Sequence, residues 1–124
     1  MSPYLTVQDR RQRAHGAVDR LHERLLANDV HGFAAVFAVN GVLELPFGPA
    51  ALRGREQVRE YVRDDITAIV SQTRYDTTDP DVLVVEWEAG GSRHLTVVRV
   101  GGGGVELFRD YSGPAAAGEE PRSG

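Results

Sequence analysis

The sequence predicts an α+β fold, a cone in which a curved antiparallel sheet wraps over three N-terminal helices and encloses an apolar pocket. Helical spacing of apolar residues dominates the first half of the chain, where one short strand interrupts it. Alternating strand patterns follow in the second half, and Gly90-Gly91 forms a two-residue hairpin turn that makes its flanking strands antiparallel neighbours. Helices that precede a run of hairpin-connected strands indicate helices packed on one face of a sheet. A sheet curved in this way can hold a ligand cavity.

The three helices are predicted from apolar residues that recur three or four positions apart. The first begins near Thr6 and ends at Asn28-Asp29, which also offers an N-cap for the second. The third begins near Gly54 or Arg55. The inward residues of the three helices are, in order, Ala14, Val18, Leu21 and Leu25; Val30, Phe33, Ala34 and Phe37; and Val58, Tyr61, Val62, Ile66 and Ile69.

The strands are predicted between turn and breaker residues. A short strand at residues 42–45 lies between a turn at Asn40-Gly41 and Pro46, and a loop follows at residues 47–51. Four further strands are predicted at residues 72–78, 82–88, 92–100 and 105–112. We expect one domain over residues 6–114, with a flexible N-terminus at residues 1–5 and a disordered tail at residues 115–124.

Composition argues against several classes of function. The net charge of -4 disfavours a nucleic-acid or anionic-membrane partner, and the chain has no cysteine for a disulfide or a thiolate metal site. His15, His22 and His31 fall on exposed-looking helical positions without metal-ligand spacing, so we expect surface histidines and neither a metal nor a cofactor. No apolar run reaches the length of a membrane span, and the N-terminus lacks the pattern of a signal peptide. These features predict a cytoplasmic protein.

The last strand carries the strongest candidate for chemistry. Phe108, Asp110 and Ser112 alternate onto one face of this strand, and we expect that face to turn inward. Asp110 then becomes a carboxylate in an apolar setting, which is costly unless a partner compensates for the lost water. Such a group suits general acid or base work near neutral pH. The alternative is a structural aspartate that is bonded to a tyrosine or an arginine.

His94 is the second candidate. Pairing across the glycine hairpin sets Trp87 opposite His94, so that His94 and Thr96 share the inward face with Asp110. An Asp–His pair on neighbouring strands can act as an acid/base couple, with the carboxylate fixing the imidazole tautomer. A histidine at the rim near the hairpin end is the alternative. Thr96 and Ser112 could orient a ligand oxygen or a water, or could be small residues of the pocket wall.

Three stretches of the chain resemble a known family. Residues 37–49 (FAVNGVLELPFGP) and 52–61 (LRGREQVREY) resemble the SnoaL-like branch of the nuclear transport factor 2-like superfamily, which includes ketosteroid isomerase, limonene epoxide hydrolase and small polyketide cyclases. Residues 108–114 (FRDYSGP) are similar to the final strand of that branch. The resemblance extends from about Val7 to Pro114 and implies the cone-shaped fold. It implies no single reaction, because this fold carries many functions.

Residue by residue, the resemblance does not carry over the isomerase chemistry. The positions that match the helical tyrosine, the base and the protonated aspartate of ketosteroid isomerase hold Leu21, Leu45 and Thr96, which argues strongly against that reaction. Asp110 matches the aspartate that limonene epoxide hydrolase carries in an Arg-Asp-Tyr motif. The matches to its partner arginine and its second aspartate are Trp87 and Ala89, so that triad is incomplete.

The resemblance implies a cofactor-independent enzyme that uses acid/base chemistry on an apolar, oxygenated small molecule such as a polyketide or a terpenoid. Asp110 would be the acid/base, with His94 or a polar wall residue assisting, and cyclase, isomerase, dehydratase and hydrolase reactions all remain open. The residues expected at the substrate are first of all core residues, some of which double as pocket wall: Phe37, Leu45, Phe47, Tyr61, Trp87, Thr96, Phe108 and Ser112.

The outer face of the sheet is expected to make a homodimer contact, as it often does in this family. Its alternating charges suit a self-complementary interface, although an ordinary solvated face is the alternative. The residues predicted on it are Glu86, Glu88, Arg99, Arg109 and Tyr111. A non-catalytic ligand-binding or dimerisation module, in which Asp110 is structural, is the alternative to the enzyme.

Overall fold

The computed structural model describes residues 5–48, 51–61, 66 and 68–114 of the chain. In chain order, the elements of this part are α1 (Val7–Leu26), α2 (Val30–Ala35), β1 (Phe37–Glu44), β2 (Ala51–Arg53), α3 (Gly54–Val58), a 3-10 helix (Arg59–Tyr61), β3 (Ile69–Asp76), β4 (Val82–Ala89), β5 (Ser92–Gly101) and β6 (Gly104–Pro114). None of these helices is long and apolar enough to span a membrane. The predicted inward position of Val62, the tail and most of the N-terminal segment lie outside the described residues, and the domain limits stay a prediction.

The six strands that the described residues form make one curved sheet, in the order β2-β1-β6-β5-β4-β3. Strands β3 to β6 are the predicted antiparallel meander. The sheet as a whole is mixed rather than antiparallel, because β1 pairs with β6 in parallel. Parallel neighbours need a long connection, and the segment from β2 to β5 supplies it. The α+β class is confirmed, and with β2 and β3 at its two edges the sheet curves without closing.

Strand β1 begins earlier than the sequence predicts. Phe37, predicted on the apolar stripe of α2, opens the strand, and Asn40-Gly41 lies inside it rather than in a turn before it. The register of β1 on β6 shifts between Phe37 and Val42, so the predicted turn is an irregularity within the strand. A Cβ atom on residue 41 would lie 2.5 Å from the Val105 carbonyl oxygen, which explains the glycine at this position.

Two further boundaries differ from the prediction. Ala51, predicted in a loop, opens β2 and pairs with Glu44 of β1. Ile69, predicted inward on the third helix, begins β3 instead. Ile66 is buried as predicted. Short apolar runs fit a helix or a strand equally well, because periodicity separates the two only over longer segments.

Helix α1 packs against β4 and β5. It begins with a capping box, in which the Thr6 hydroxyl accepts a bond from the Asp9 N–H at 3.0 Å and the Asp9 carboxylate accepts one from the Thr6 N–H at 3.2 Å. Its predicted inward face is buried, and His22 is buried with it at 6% exposure, so the expected surface position of His22 is wrong. His22 lies four positions after Val18 and three before Leu25, which places it on the edge of the same stripe.

The centre of the core is aromatic. The rings of Phe33, Phe37, Tyr61 and Phe108 lie with centroids 5.5 to 6.1 Å apart in the contacting pairs. Such tilted and edge-to-face pairs contribute about 0.5–1.5 kcal/mol each beyond their burial. The cluster joins α2 and the 3-10 helix to β1 and β6. It therefore fixes the position of Tyr61 relative to the last strand.

Candidate active site

The inward faces of β4, β5 and β6 bring the predicted site residues into two adjacent rows. Trp87, His94 and Ser112 pair across the three strands in one row, and Thr96 pairs with Asp110 in the next. This register confirms the predicted hairpin pairing. Because the rows are two residues apart along each strand, His94 and Asp110 are diagonal neighbours on the same face.

Asp110 is the centre of a buried hydrogen-bond network, with 1% of its side chain exposed. Its Oδ2 accepts a hydrogen bond from the Tyr61 hydroxyl at 2.9 Å and lies 2.9 Å from His94 Nδ1. Its Oδ1 accepts one from the Thr96 hydroxyl at 3.1 Å and lies 3.2 Å from the same imidazole nitrogen. An ionised carboxylate only accepts and has about four lone-pair positions, so three donors leave about one position for a ligand.

Trp87 positions two of these three donors. Its Nε1–H can only donate and lies 2.9 Å from Thr96 Oγ1, so the threonine oxygen accepts there and directs its own proton to Asp110. The indole also stacks on the His94 imidazole, with ring centroids 4.0 Å apart and an angle of 12° between the planes. With its Nδ1 proton directed at Asp110, a neutral His94 carries no proton on Nε2.

The network differs from the unpartnered carboxylate that an apolar setting implies. Tyr61, His94 and Thr96 compensate Asp110 for its loss of water. The tyrosine bond that the structural alternative requires is therefore present. The Asp–His contact that the acid/base hypothesis requires is present in the same network, so contacts alone do not separate the two roles.

Asp110 also lies on the wall of an open cleft of about 410 Å³. The cleft is lined by Leu45, Phe47, Gly48, Leu52, Glu60, Tyr61, Asp110 and Ser112. Five predicted site residues meet here, whereas Leu52 and Glu60 were not foreseen. No spacing in the sequence indicates them, because they reach the cleft only when the segment at residues 51–61 packs beside β6.

The other predicted site residues lie elsewhere. Phe37 and Phe108 are fully buried in the aromatic core rather than on the cleft wall. Trp87, His94 and Thr96 are buried around Asp110 and are not among the residues that line the cleft. Within the described residues, no group of three or more histidine, aspartate or glutamate side chains is arranged to hold a metal ion.

A larger groove of about 530 Å³ lies mainly on the outer face of the sheet. Outward-facing side chains such as Glu86, Leu95 and Tyr111 line it, and Phe47 contacts Tyr111 at its edge with ring centroids 5.6 Å apart. His94 also borders this groove, but its side chain belongs to the opposite face of the sheet. The cleft beside Asp110 is therefore the better candidate for an active site.

His22 contacts the same indole as His94. Its ring centroid lies 4.8 Å from that of Trp87, and in the described structure its Nδ1 is buried without a hydrogen-bond partner. Burial, together with a smaller effect of the positive charge of Arg74, lowers the pKa of His22 from 6.5 to about 4. His22 is consequently neutral in the folded protein at neutral pH.

A curved mixed sheet over three helices, with a polar network on the inner face of its last strands and a cleft beside it, defines a domain of the nuclear transport factor 2-like class. The chain belongs to the SnoaL-like domain family, which it matches over residues 18–114. Both the fold and the family that the sequence resembles are confirmed.

Three similar proteins illustrate the range of this class. An uncharacterized PhzA/B-like protein of Pseudomonas aeruginosa is 29% identical over 73% of this chain and 78% of its own. A candidate isomerase from Bacillus subtilis superposes with a TM-score of 0.73 at 17% identity, covering 83% of this chain and 88% of that one. A Mycobacterium tuberculosis protein solved with estradiol-17β-hemisuccinate superposes with a TM-score of 0.60 at 21% identity, covering 80% and 92%. At these identities, the structural likeness shows the fold alone.

Proposed function

We propose that this protein is a small-molecule enzyme that uses Asp110 for acid/base chemistry in the cleft beside it. The observation that best supports an acid/base role is that Asp110 borders the cleft and also contacts Tyr61 and His94. A carboxylate placed in this way can exchange a proton with a ligand on one side and with an imidazole on the other. This chemistry requires no cofactor.

The proposed step uses the acceptor position that the three donors leave open. A C–H or O–H group of the ligand gives its proton to the Asp110 carboxylate. Tyr61 lines the same cleft, and its hydroxyl can turn its proton toward a ligand oxygen that gains negative charge. Return of the proton to another atom completes an isomerisation, a cyclisation or a dehydration, and activation of a water gives hydrolysis.

An apolar, oxygenated substrate such as a polyketide or a terpenoid suits this cleft. Leu45, Phe47 and Leu52 supply an apolar wall, and the volume of about 410 Å³ falls within the usual range of ligand sites. The steroid body of the conjugate bound by the Mycobacterium tuberculosis neighbour is of this chemical kind. We place the enzyme in cytoplasmic natural-product biosynthesis. A ketosteroid isomerase reaction is disfavoured, because the matching positions hold the buried Leu21 and the cleft residue Leu45.

Exchange of hydrogen with solvent tests the proposal before the substrate is known. The protein is incubated in deuterium oxide with a panel of apolar ketones, enones and lactones, and deuterium incorporation is followed by mass spectrometry. We expect the wild type to accelerate exchange for at least one compound. Asp110→Asn should reduce that acceleration by about 10²–10⁴-fold, and His94→Gln by less, because His94 acts through Asp110.

Thr73→Val is the control variant, since residue 73 is an exposed strand position away from the cleft. Each variant is shown to be folded at the assay temperature by circular dichroism. Exchange that persists unchanged in folded Asp110→Asn would contradict the proposal.

The second candidate function is a non-catalytic ligand-binding or dimerisation module. The satisfied hydrogen bonds of Asp110 favour a structural role, and the sheet leaves Leu95 38% exposed and Tyr75 49% exposed. We propose that this outer face forms a homodimer in either case, because its apolar residues alternate with charges of both signs. Sedimentation equilibrium at micromolar concentration tests the assembly, and a monomer at all concentrations would contradict it.

A further inference from the structure

The charge of the cleft beside Asp110 indicates which ligands it admits. Two of its lining residues are acidic, Asp110 in the wall and Glu60 at an exposed position. The other polar side chains in the lining are the uncharged Tyr61 and Ser112. Among the described lining residues, none is an arginine or a histidine.

Two arginines close to this segment in sequence contact other groups. Arg55 donates a hydrogen bond to the Phe37 carbonyl oxygen at 2.9 Å, and a guanidinium nitrogen of Arg59 lies 3.8 Å from Glu56. No arginine of the described residues forms an ion pair with Glu60. Among the described residues, therefore, no cation pairs with the negative charge that Glu60 presents at the cleft.

Asp110 either adds a second negative charge to that of Glu60 or, when its own charge is neutralised, leaves the charge of the cleft unchanged. Two of its three donors, Tyr61 and Thr96, are uncharged hydroxyls that do not cancel a carboxylate charge. Only His94 can neutralise it, and only when the imidazole carries both protons. In either state the described lining of the cleft has no net positive charge.

We infer that this cleft selects a hydrophobic ligand that carries a basic nitrogen and discriminates against the carboxylate with the same body. The inference rests on the proposed function, because it takes this cleft as the ligand site. The apolar body contacts Leu45, Phe47 and Leu52, and the nitrogen lies toward Glu60. Opposite charges attract and like charges repel at these separations, with screening strongest at the exposed Glu60 and weaker near the buried Asp110.

Three probes with one aromatic body test the inference: naphthylethylamine, naphthylethanol and naphthylacetate. Their affinities for the wild-type protein are measured by isothermal titration calorimetry at low ionic strength and neutral pH. We expect the amine to bind most tightly and the acid most weakly, with a ratio of about tenfold between them. Added salt should reduce that ratio and leave the affinity of the alcohol unchanged.

Two matched glutamate variants locate the effect. Glu60→Gln should weaken amine binding about threefold without changing alcohol binding. Glu106→Gln removes a carboxylate from an exposed position of β6, outside the cleft lining, and should change neither. An acid that binds as tightly as the amine, or an equal effect of the two variants, would overturn the inference. If the alcohol still binds in that case, the proposed function stands, whereas binding of none of the three probes would overturn both.

Discussion

His22 and His94 contact the same indole ring and are buried to a similar extent, yet among the described residues only His94 has a side-chain hydrogen-bond partner. Their ring centroids lie 4.8 and 4.0 Å from that of Trp87, and they are 6% and 3% exposed. His94 Nδ1 lies 2.9 Å from an oxygen of Asp110. His22 Nδ1 has no hydrogen-bond partner in the described structure, and burial lowers its pKa to about 4.

Burial alone therefore does not give a histidine an acid/base function. A buried imidazole without a partner avoids the charged form, so it cannot exchange a proton near neutral pH. An imidazole bonded to a carboxylate can move a proton within the pair, because the partner stabilises the charge that forms. The acid/base hypothesis therefore applies to His94 and not to His22.

Removal of Asp110 should have the largest effect, because it leaves His94 as unpartnered as His22. We expect Asp110→Leu to lower the free energy of unfolding by about 3–5 kcal/mol, since three buried donors lose their acceptor. Asp110→Asn keeps one carbonyl oxygen and should cost less, about 1–3 kcal/mol. Urea unfolding at neutral pH measures both values.

The exposed Asp76 offers a control for this prediction. It pairs with His15 at 2.9 Å while 54% of its side chain is exposed, so Asp76→Leu should cost less than about 1 kcal/mol. Equal losses from Asp76→Leu and Asp110→Leu would mean that burial adds nothing to an Asp–His pair.

The next largest expected effect is the loss of stability through His22 as the pH is lowered. Its pKa of about 4 in the folded protein lies below its ordinary value of 6.5, so as the pH falls the unfolded chain takes up the proton first. The contribution of His22 to stability is complete above pH 6.5 and is lost as the pH falls toward 4. The full loss amounts to roughly 3 kcal/mol.

Urea unfolding at a series of pH values across that window measures the effect. His22→Gln should remove about one proton from the pH dependence of the unfolding free energy. His31→Gln, at an exposed helical position, should leave the pH dependence unchanged. The same slope in wild type and His22→Gln would show that His22 accepts its proton as easily in the folded state as in the unfolded chain.

Thr96→Val should have a smaller effect that isolates the link between Trp87 and Asp110. The substitution keeps the shape of the side chain but leaves the Trp87 N–H without its acceptor and removes one donor from Asp110. We expect a loss of about 1–3 kcal/mol in the free energy of unfolding. Trp87 is the chain's one tryptophan, so its fluorescence emission should shift as well. Thr73→Val should change neither quantity, and an unshifted emission in Thr96→Val would contradict the assigned role of Trp87.

The candidate site was predictable where it depends on strand alternation. The glycine hairpin sets Trp87 opposite His94, and the alternation along β6 places Asp110 on the same face, as the structure confirms. Both inferences need only the two-residue period of a strand and the register of a tight turn. Both are local properties, so the spacing of residues along the sequence is enough to predict them.

His22 and Glu60 were not predictable in the same way. The helical stripe of α1 shows which side of the helix is buried but not how wide the buried face is, so the pattern alone predicts a surface position for His22. Glu60 reaches the cleft only because the 3-10 helix packs beside β6 through the aromatic core. The parallel pairing of β1 with β6 is not predictable for a similar reason, because the pairing of two strands far apart in the chain produces no periodic pattern in the sequence.

Local sequence patterns are sufficient to predict the fold class, the buried faces of α1 and the meander, and the proximity of Asp110 to His94. Each of these follows from contacts between residues close in the chain or across one hairpin. The tertiary structure is needed to show that Tyr61, 49 positions before Asp110, donates to its carboxylate. It also shows that β1 pairs with β6 in parallel, and that within the described residues His94 has a hydrogen-bond partner whereas His22 Nδ1 has none. These features depend on how distant segments pack, and packing is set by the shape of the whole core rather than by any local pattern.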